Sequence, residues 1–236
     1  MPTRDIAYSC GEMEMLGYFA APERDGQYPG ILLIHGAHGL GRFIAGVADR
    51  LSAQGYAVLA LDLWGGRAHP NSPDEIGRYL GGCVADRKGW MARIEAGRNI
   101  LVGQPETDAT RLGALGYCFG GSSVLEYVRT GGKIAGAVSF HGGLDLVLDD
   151  WSAASPARAL ICTGADDPMA TQSDLTIITA AMSAAGTPWE ANIYGGVKHA
   201  FTEPDAPGRP PFAKYDENAD GRSWAAMSQF FASLFA

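Results

Sequence analysis

Short apolar runs alternate along the chain with longer segments in which apolar residues recur every three or four positions. The runs that predict buried strands are Gly30–Ile34, Val58–Leu61, Leu112–Gly116, Ile134–Phe140, Ala159–Thr163 and Glu190–Tyr194. The segments that predict helices are Phe43–Gln54, Asp86–Val102, Leu175–Ala185 and Ser223–Phe235. Ile6–Cys10 and Met13–Phe19 predict an opening hairpin that turns at Gly11-Glu12. Alternation of this kind is typical of βαβ units, so we predict an α/β fold with a mostly parallel central sheet and helices on both faces.

Length and charge narrow the class of protein. A chain of 236 residues suits one α/β domain over 1–236, and no boundary favours two. The formal charge of −8 lacks the basic character of a nucleic-acid-binding protein. No apolar stretch approaches the roughly 20 residues that a membrane span needs, and Met1–Asp5 lacks the apolar core of a signal peptide. We therefore expect a cytoplasmic protein with no nucleic-acid or membrane partner. Pro204–Pro211 predicts a long surface loop.

The run Gly116-Tyr117-Cys118-Phe119-Gly120 carries the most specific chemical information in the chain. It has the G-x-C-x-G spacing of a nucleophile elbow, the tight strand-to-helix turn of α/β-hydrolases, with cysteine in the place of serine. An apolar run precedes it, and Ser122–Val128 after it can form a helix with an apolar face. The motif thus predicts an α/β-hydrolase fold with Cys118 as the nucleophile. The alternative is a glycine-rich turn that carries an inert buried cysteine.

A nucleophilic cysteine needs a base and a group that orients the base. Two later loops supply them in the chain order of α/β-hydrolases: Asp166-Asp167-Pro168 after the strand Ala159–Thr163, and His199 after Glu190–Tyr194. Pro168 favours an extended residue before it, which supports Asp167 over Asp166 as the acid. We predict the catalytic set Cys118, Asp167 and His199.

The oxyanion of an acyl-transfer reaction needs backbone N–H donors in a fixed place. The N–H of Phe119, directly after the nucleophile, is one candidate. The second is Ala37 in the glycine-containing loop Gly36–Gly39 after the strand Gly30–Ile34. His35 is interpreted as bracing this loop. His35 and His38 have no acidic or thiol partner nearby, and the four cysteines form no C-x-x-C pair, so no metal is expected.

These motifs together resemble the dienelactone hydrolase family over nearly the full chain. The residues that carry the resemblance are the His35–Leu40 loop, Gln54-Gly55-Tyr56, Asp62-Leu63, the Gly-Tyr-Cys-Phe-Gly-Gly elbow, Asp166-Asp167-Pro168, His199-Ala200-Phe201 and the tail Tyr215–Phe231. The resemblance implies a Cys-His-Asp triad, a thioester acyl-enzyme, hydrolysis of lactones or small carboxylic esters, and no cofactor.

Two positions depart from the family pattern. The best-known members carry a glutamate where Gly36 stands, and dienelactone-specific members carry an arginine near the position of Glu203. A carboxylate at Glu203 would repel an anionic lactone acid, although Arg78, or Arg42 or Arg67, remains as a possible cation. Further candidates for substrate contact are Gly36, His38, Trp64 and Phe140.

Other functions remain open at this stage. The enzymatic alternative is a general short-chain carboxylesterase or thioesterase, which Gly36 and Glu203 favour. A protein of another class would be a non-catalytic α/β-hydrolase that binds a ligand, with Cys118 silent, or a redox-sensing thiol without a resolving cysteine. The expected partner is a small ester or lactone, and the expected assembly is a monomer or weak homodimer.

Overall fold

The computed structural model describes residues 2–204 and 210–236, so most of the predicted loop Pro204–Pro211 lies outside the described residues. Within them the strands are β1 Thr3–Cys10, β2 Met13–Ala20, β3 Tyr28–Ile34, β4 Ala57–Leu61, β5 Thr107–Tyr117, β6 Gly136–Phe140, β7 Arg158–Gly164 and β8 Trp189–Tyr194. The α-helices are α1 Arg42–Ala53, α2 Pro73–Ala85, α3 Arg87–Val102, α4 Phe119–Arg129, α5 Gln172–Ala184 and α6 Glu217–Leu234.

The eight strands form one sheet in the order β1-β2-β4-β3-β5-β6-β7-β8. The pair β1–β2 and the pair β2–β4 are antiparallel, whereas β3–β4, β6–β7 and β7–β8 are parallel. The prediction of a mostly parallel α/β sheet is therefore confirmed. Internal contacts divide the chain into two units, Met1–Ala114 and Leu115–Ala236. The single domain predicted over 1–236 stays a prediction.

The first unit contains a helix that was not predicted from the sequence. Helix α2 begins at Pro73, and Ser72 and Glu75 form a reciprocal capping box at its start. Cys83 is the one residue of this helix that is buried, but apolar residues recur at the three- and four-residue spacing of a helix face: Ile76, Tyr79, Leu80, Cys83 and Val84. That spacing and the capping box were the available signals.

The second unit brings three strand ends to one edge of the sheet. The parallel register pairs Phe140 at the end of β6 with Cys162, and Gly164 at the end of β7 with Tyr194 at the end of β8. Loops that leave these ends carry the candidate chemistry, as expected for an open α/β sheet. Strand β6 begins at Gly136 rather than at the predicted Ile134, and α6 begins at Glu217 rather than Ser223. The earlier start of α6 follows from the N-cap Asp216, whose carboxylate accepts from the N–H of Ala219.

Candidate active site

Cys118 lies at a strained turn between β5 and α4. Its backbone has φ of +53° and ψ of −118°, a conformation that residues other than glycine rarely adopt. The turn closes tightly because Gly116 has no Cβ: one built there would overlap the Gly120 carbonyl. A Cβ on Gly121 would lie 2.6 Å from Ser139 Oγ and 2.8 Å from the Cα of Gly142. Glycine is therefore required at these two positions of the elbow, because the neighbouring backbone leaves no room for a Cβ.

His199 joins Cys118 to Asp167 through its two ring nitrogens. His199 Nε2 lies 3.2 Å from Cys118 Sγ, and His199 Nδ1 lies 2.7 Å from Asp167 Oδ2. The Asp167 side chain is fully buried and that of His199 is 5% exposed, whereas Cys118 is half-buried. The other carboxylate oxygen, Asp167 Oδ1, accepts the Met169 N–H at 2.9 Å, which fixes the plane of the group. Neighbouring Asp166 is exposed.

A glycine also lets the loop that carries Asp167 approach the loop that carries His199. A Cβ on Gly164, at the end of β7, would overlap the carbonyl of Val197. The Asp166 N–H donates to that same carbonyl at 2.9 Å. The loop that carries His199 is therefore packed directly on the loop that carries Asp167.

The environment of His199 favours its protonated form. Burial opposes the charge, but the coulombic interaction with Cys118 and the hydrogen bonds to Asp167 and Cys118 outweigh it and raise the pKa of His199 to about 10. An imidazolium at 3.2 Å from the sulfur stabilises a thiolate by coulombic attraction. The geometry and the charge together can produce a nucleophilic sulfur and a proton donor beside it.

The candidate oxyanion donors lie at the start of a helix and on a loop. Phe119 is the first residue of α4 and directly follows Cys118. Ala37 follows β3 in the first unit, where fully buried His35 braces the loop. His35 Nε2 accepts the Leu63 N–H at 3.1 Å, so Nδ1 carries the proton and donates to the Gly36 carbonyl at 2.7 Å. Burial lowers the pKa of His35 to about 4, which keeps this arrangement neutral. His35 thereby holds the Gly36–Ala37 peptide in one orientation.

Other predicted residues of the first unit occupy varied environments. Trp64 is buried, and its indole N–H donates to the Ala37 carbonyl at 3.2 Å. His38 is exposed and its Nδ1 lies 3.1 Å from the Pro70 carbonyl oxygen. Arg78 is exposed on α2. The guanidinium of Arg67 bonds Asp5 and the carbonyls of Leu16 and Gly17, so the structure places it against β2.

In the second unit, Phe140 and Glu203 flank the candidate triad in different ways. The Phe140 ring is buried and stacks on Tyr117 at 4.9 Å between centroids, and its carbonyl accepts the Cys118 N–H at 3.0 Å. Glu203 is half-buried on the turn after His199, and its N–H donates to the Ala200 carbonyl. Their roles in substrate contact stay predictions.

Sequence reasoning missed His141, which lies beside the candidate triad. It follows β6 and is fully buried, and its ring lies 5.2 Å from the ring of His199. Like Cys118, it stands directly after a strand of the sheet, and Asp167 and His199 lie on loops that follow later strands. That position was the signal in the sequence that could have identified it.

The described residues contain no group of three or more histidine, cysteine or acidic side chains placed to hold a metal ion. In the same part of the chain, no helix combines the length and the apolar character needed to cross a membrane. The predictions of no cofactor and of a cytoplasmic location stay predictions.

Comparison with known proteins gives a consistent match. A model described as the dienelactone hydrolase family matches residues 15–235. A probable 2-oxo-3-(5-oxofuran-2-ylidene)propanoate lactonase from Bradyrhizobium sp. is 28% identical over 80% of this chain and 79% of its own. A putative carboxymethylenebutenolidase from Salmonella typhimurium is 26% identical over 93% of this chain and 83% of its own. The crystal structure of a dienelactone hydrolase-like promiscuous phosphotriesterase from metagenomic libraries superposes with a TM-score of 0.93 at 31% identity, covering 99% of this chain and 98% of that one.

Proposed function

Because the chain belongs to the dienelactone hydrolase family, we propose that it hydrolyses a lactone or small carboxylic ester with Cys118 as nucleophile, His199 as acid and base, and Asp167 as the group that orients His199. The observation that carries this proposal is the continuous contact from Asp167 Oδ2 through the His199 ring to Cys118 Sγ, at 2.7 and 3.2 Å. Each residue also has the chemistry that its step requires.

In the first step the Cys118 thiolate attacks the carbonyl carbon and forms a C–S bond. The carbonyl electron pair moves to oxygen, and the oxyanion is held by the N–H of Phe119 at the start of α4 and, as the proposed second donor, by the N–H of Ala37. When the C–O bond to the alcohol breaks, protonated His199 gives its Nε2 proton to the departing oxygen. The products of this step are the free alcohol and a thioester on Cys118.

In the second step neutral His199 takes a proton from water as the water oxygen bonds to the thioester carbon. The resulting tetrahedral intermediate collapses by breaking the C–S bond, which releases the carboxylic acid and restores the thiolate beside protonated His199. Throughout the cycle the Asp167 carboxylate accepts from Nδ1–H and keeps Nε2 directed at the reacting atoms. A thiolate suits esters and lactones better than amides because an amine is a poorer leaving group than the thiolate itself.

Two residues favour uncharged substrates. Glu203 stands near the histidine loop, and a carboxylate there opposes a second negative charge on the substrate. Gly36 contributes no side chain to the loop that carries Ala37. We therefore infer that neutral lactones and short-chain esters are hydrolysed faster than an anionic lactone acid. The carboxylesterase alternative predicts the same preference.

The experiment is a kinetic panel with a p-nitrophenyl ester series, a neutral lactone and a dienelactone acid. We expect turnover of the neutral compounds by the wild type and its loss in Cys118→Ala. The matched control is Cys10→Ala, which removes another half-buried thiol and leaves activity unchanged. Equal activity of Cys118→Ala and wild type would refute the nucleophile. A protein that binds esters without turnover or adduct would instead be the non-catalytic ligand-binding protein.

A second candidate activity is hydrolysis of phosphotriesters. It is supported by the similarity to the phosphotriesterase at 31% identity over 99% of this chain. The same thiolate would attack phosphorus, form a P–S bond and expel an aryloxide, and water would then cleave the P–S bond. Release of p-nitrophenol from a dialkyl p-nitrophenyl phosphate by wild type, and not by Cys118→Ala, tests it. The monomer or weak homodimer stays a prediction.

A further inference from the structure

His141 contacts both halves of the proposed catalytic pair. The residue directly follows β6 and has φ of +38°, in the left-handed region. This conformation is uncommon for any residue other than glycine. Cys118 and Ala200, which is next to His199, also have a positive φ. Backbone strain in the second unit therefore concentrates around the candidate triad.

The hydrogen bonds of His141 define its proton position. The Cys118 backbone N–H, which also donates to Phe140 O, lies 3.2 Å from His141 Nδ1. Because an N–H can donate only to an unprotonated nitrogen, Nδ1 is the acceptor, and the single ring proton is on Nε2. That Nε2–H donates to Thr202 Oγ1 at 2.8 Å. His141 is thus a neutral bridge from the nucleophile's backbone to the third residue after His199.

The His141 ring also packs on the base itself. It meets the His199 ring edge-on, with centroids 5.2 Å apart and planes at 72°, and meets Phe201 at 5.2 Å and 78°. Both sides of the 3.2 Å contact between Cys118 Sγ and His199 Nε2 are therefore held by one side chain. A rotation of His141 would change the elbow backbone and the histidine loop together.

We propose that His141, with Thr202, is a positioning residue that sets the distance and alignment between Cys118 Sγ and His199 Nε2. This inference rests on the proposed function, in which that contact carries the proton. A buried histidine that only fills space would affect folding but leave the pairing of sulfur and imidazole unchanged. The pair is also bonded to the titratable Asp167, from the loop after β7, through His199 Nδ1 at 2.7 Å.

The test uses Thr202→Val and His141→Asn in a Cys10→Ala background. Thr202→Val removes the acceptor for Nε2–H but keeps the bond to Cys118. Asparagine at 141 tolerates the left-handed backbone and keeps an acceptor near the Nδ1 position, but it cannot reach Thr202. The matched control is Thr163→Val, since the Thr163 hydroxyl is buried and makes no hydrogen bond within the described chain. Thr202→Ser restores the hydroxyl.

The measurements are thermal unfolding, the pH dependence of Cys118 alkylation by iodoacetamide, and kcat/KM for a p-nitrophenyl ester. We expect Thr202→Val and His141→Asn to be folded, to alkylate about tenfold more slowly at pH 6, and to lose about 10- to 100-fold in kcat/KM, the scale of a misplacement near 1 Å. Thr163→Val and Thr202→Ser should stay within about threefold of the background protein. His141→Asn carries the test alone should Thr202→Val not fold.

Folded variants with an unchanged alkylation profile and unchanged kcat/KM would overturn the inference. Rescue failure in Thr202→Ser would also overturn it, because the hydroxyl would then not be the relevant group. Alkylation measures the pairing of Cys118 with His199 without turnover. Suppose that all variants alkylate as expected, but that the background protein hydrolyses esters no faster than Cys118→Ala. That result would reject the proposed function and leave the positioning role intact.

Discussion

Replacing Asp167 by asparagine removes the charge beside His199 with almost no change in volume. The Met169 N–H donates to Oδ1 at 2.9 Å and still needs an acceptor after the substitution. The asparagine oxygen must therefore face Met169, and its NH₂ group must face His199 Nδ1. An NH₂ donor there forces the single imidazole proton onto Nε2, the atom that has to accept a proton from water. The variant thus has the wrong tautomer.

The structure allows the size of this effect to be worked out. The Asp167–His199 hydrogen bond spans 2.7 Å between side chains that are 0% and 5% exposed, so solvent screens it little. A hydrogen bond to a charged group contributes about 1.5–3 kcal/mol, which is roughly a 10- to 150-fold change at 1.36 kcal/mol per tenfold. The lost hydrogen bond is only part of the effect. Because the variant also has the wrong tautomer, we expect the total loss in kcat to approach about 10,000-fold.

The assay is steady-state hydrolysis of a p-nitrophenyl ester, with alkylation of Cys118 as a second readout. Asp166→Asn is the matched control, because it makes the same chemical change one residue earlier at an exposed position. We expect it to retain activity within about twofold, as for a surface substitution. If Asp166→Asn lost the activity and folded Asp167→Asn kept it, the assignment of the acid would be refuted.

Three further predictions concern Gly121, His199 and His35. Gly121→Ala should destabilise the fold by about 1–3 kcal/mol in urea unfolding, since its Cβ would lie 2.8 Å from backbone, whereas Gly46→Ala, on open helix surface, should stabilise by about 0.5–1 kcal/mol. Because folding raises the pKa of His199 from 6.5 to about 10, its stabilisation should be complete below pH 6.5 and be lost as the pH rises through about 10; a His199→Asn variant with the same slope would contradict this. His35→Phe should lower kcat more than it raises KM, because the Gly36 carbonyl loses its donor; an unchanged kcat in the folded variant would exclude the brace.

Much of the site was predictable because its residues obey local rules. Cys118 lies at an elbow whose glycines are required by close backbone approach, and Asp167 and His199 follow strands that end at the same edge. The order of these residues along the chain and the strand pattern before each were sufficient. No three-dimensional information was needed to group them.

Of the two features that were missed, one had local signals and the other depends on tertiary contacts. Helix α2 carries both an apolar stripe that includes Ile76, Leu80 and Cys83 and a capping box at Ser72, so it was predictable from its sequence. His141 looks like an isolated loop histidine because its partners, Cys118 and Thr202, are 23 and 61 residues away in sequence. Packing of the loops after β5, β6 and β8 creates that contact.

The central claim is that the sulfur of Cys118 forms the bond to the acyl group. Rapid quenching of wild type mixed with a p-nitrophenyl ester, followed by intact mass and peptide mapping, tests it directly. We predict one acyl group per chain on the peptide that contains Cys118, formed as fast as the burst of p-nitrophenol and absent from Cys118→Ala. Steady turnover with no adduct on that peptide, or with the adduct on another residue, would contradict the account.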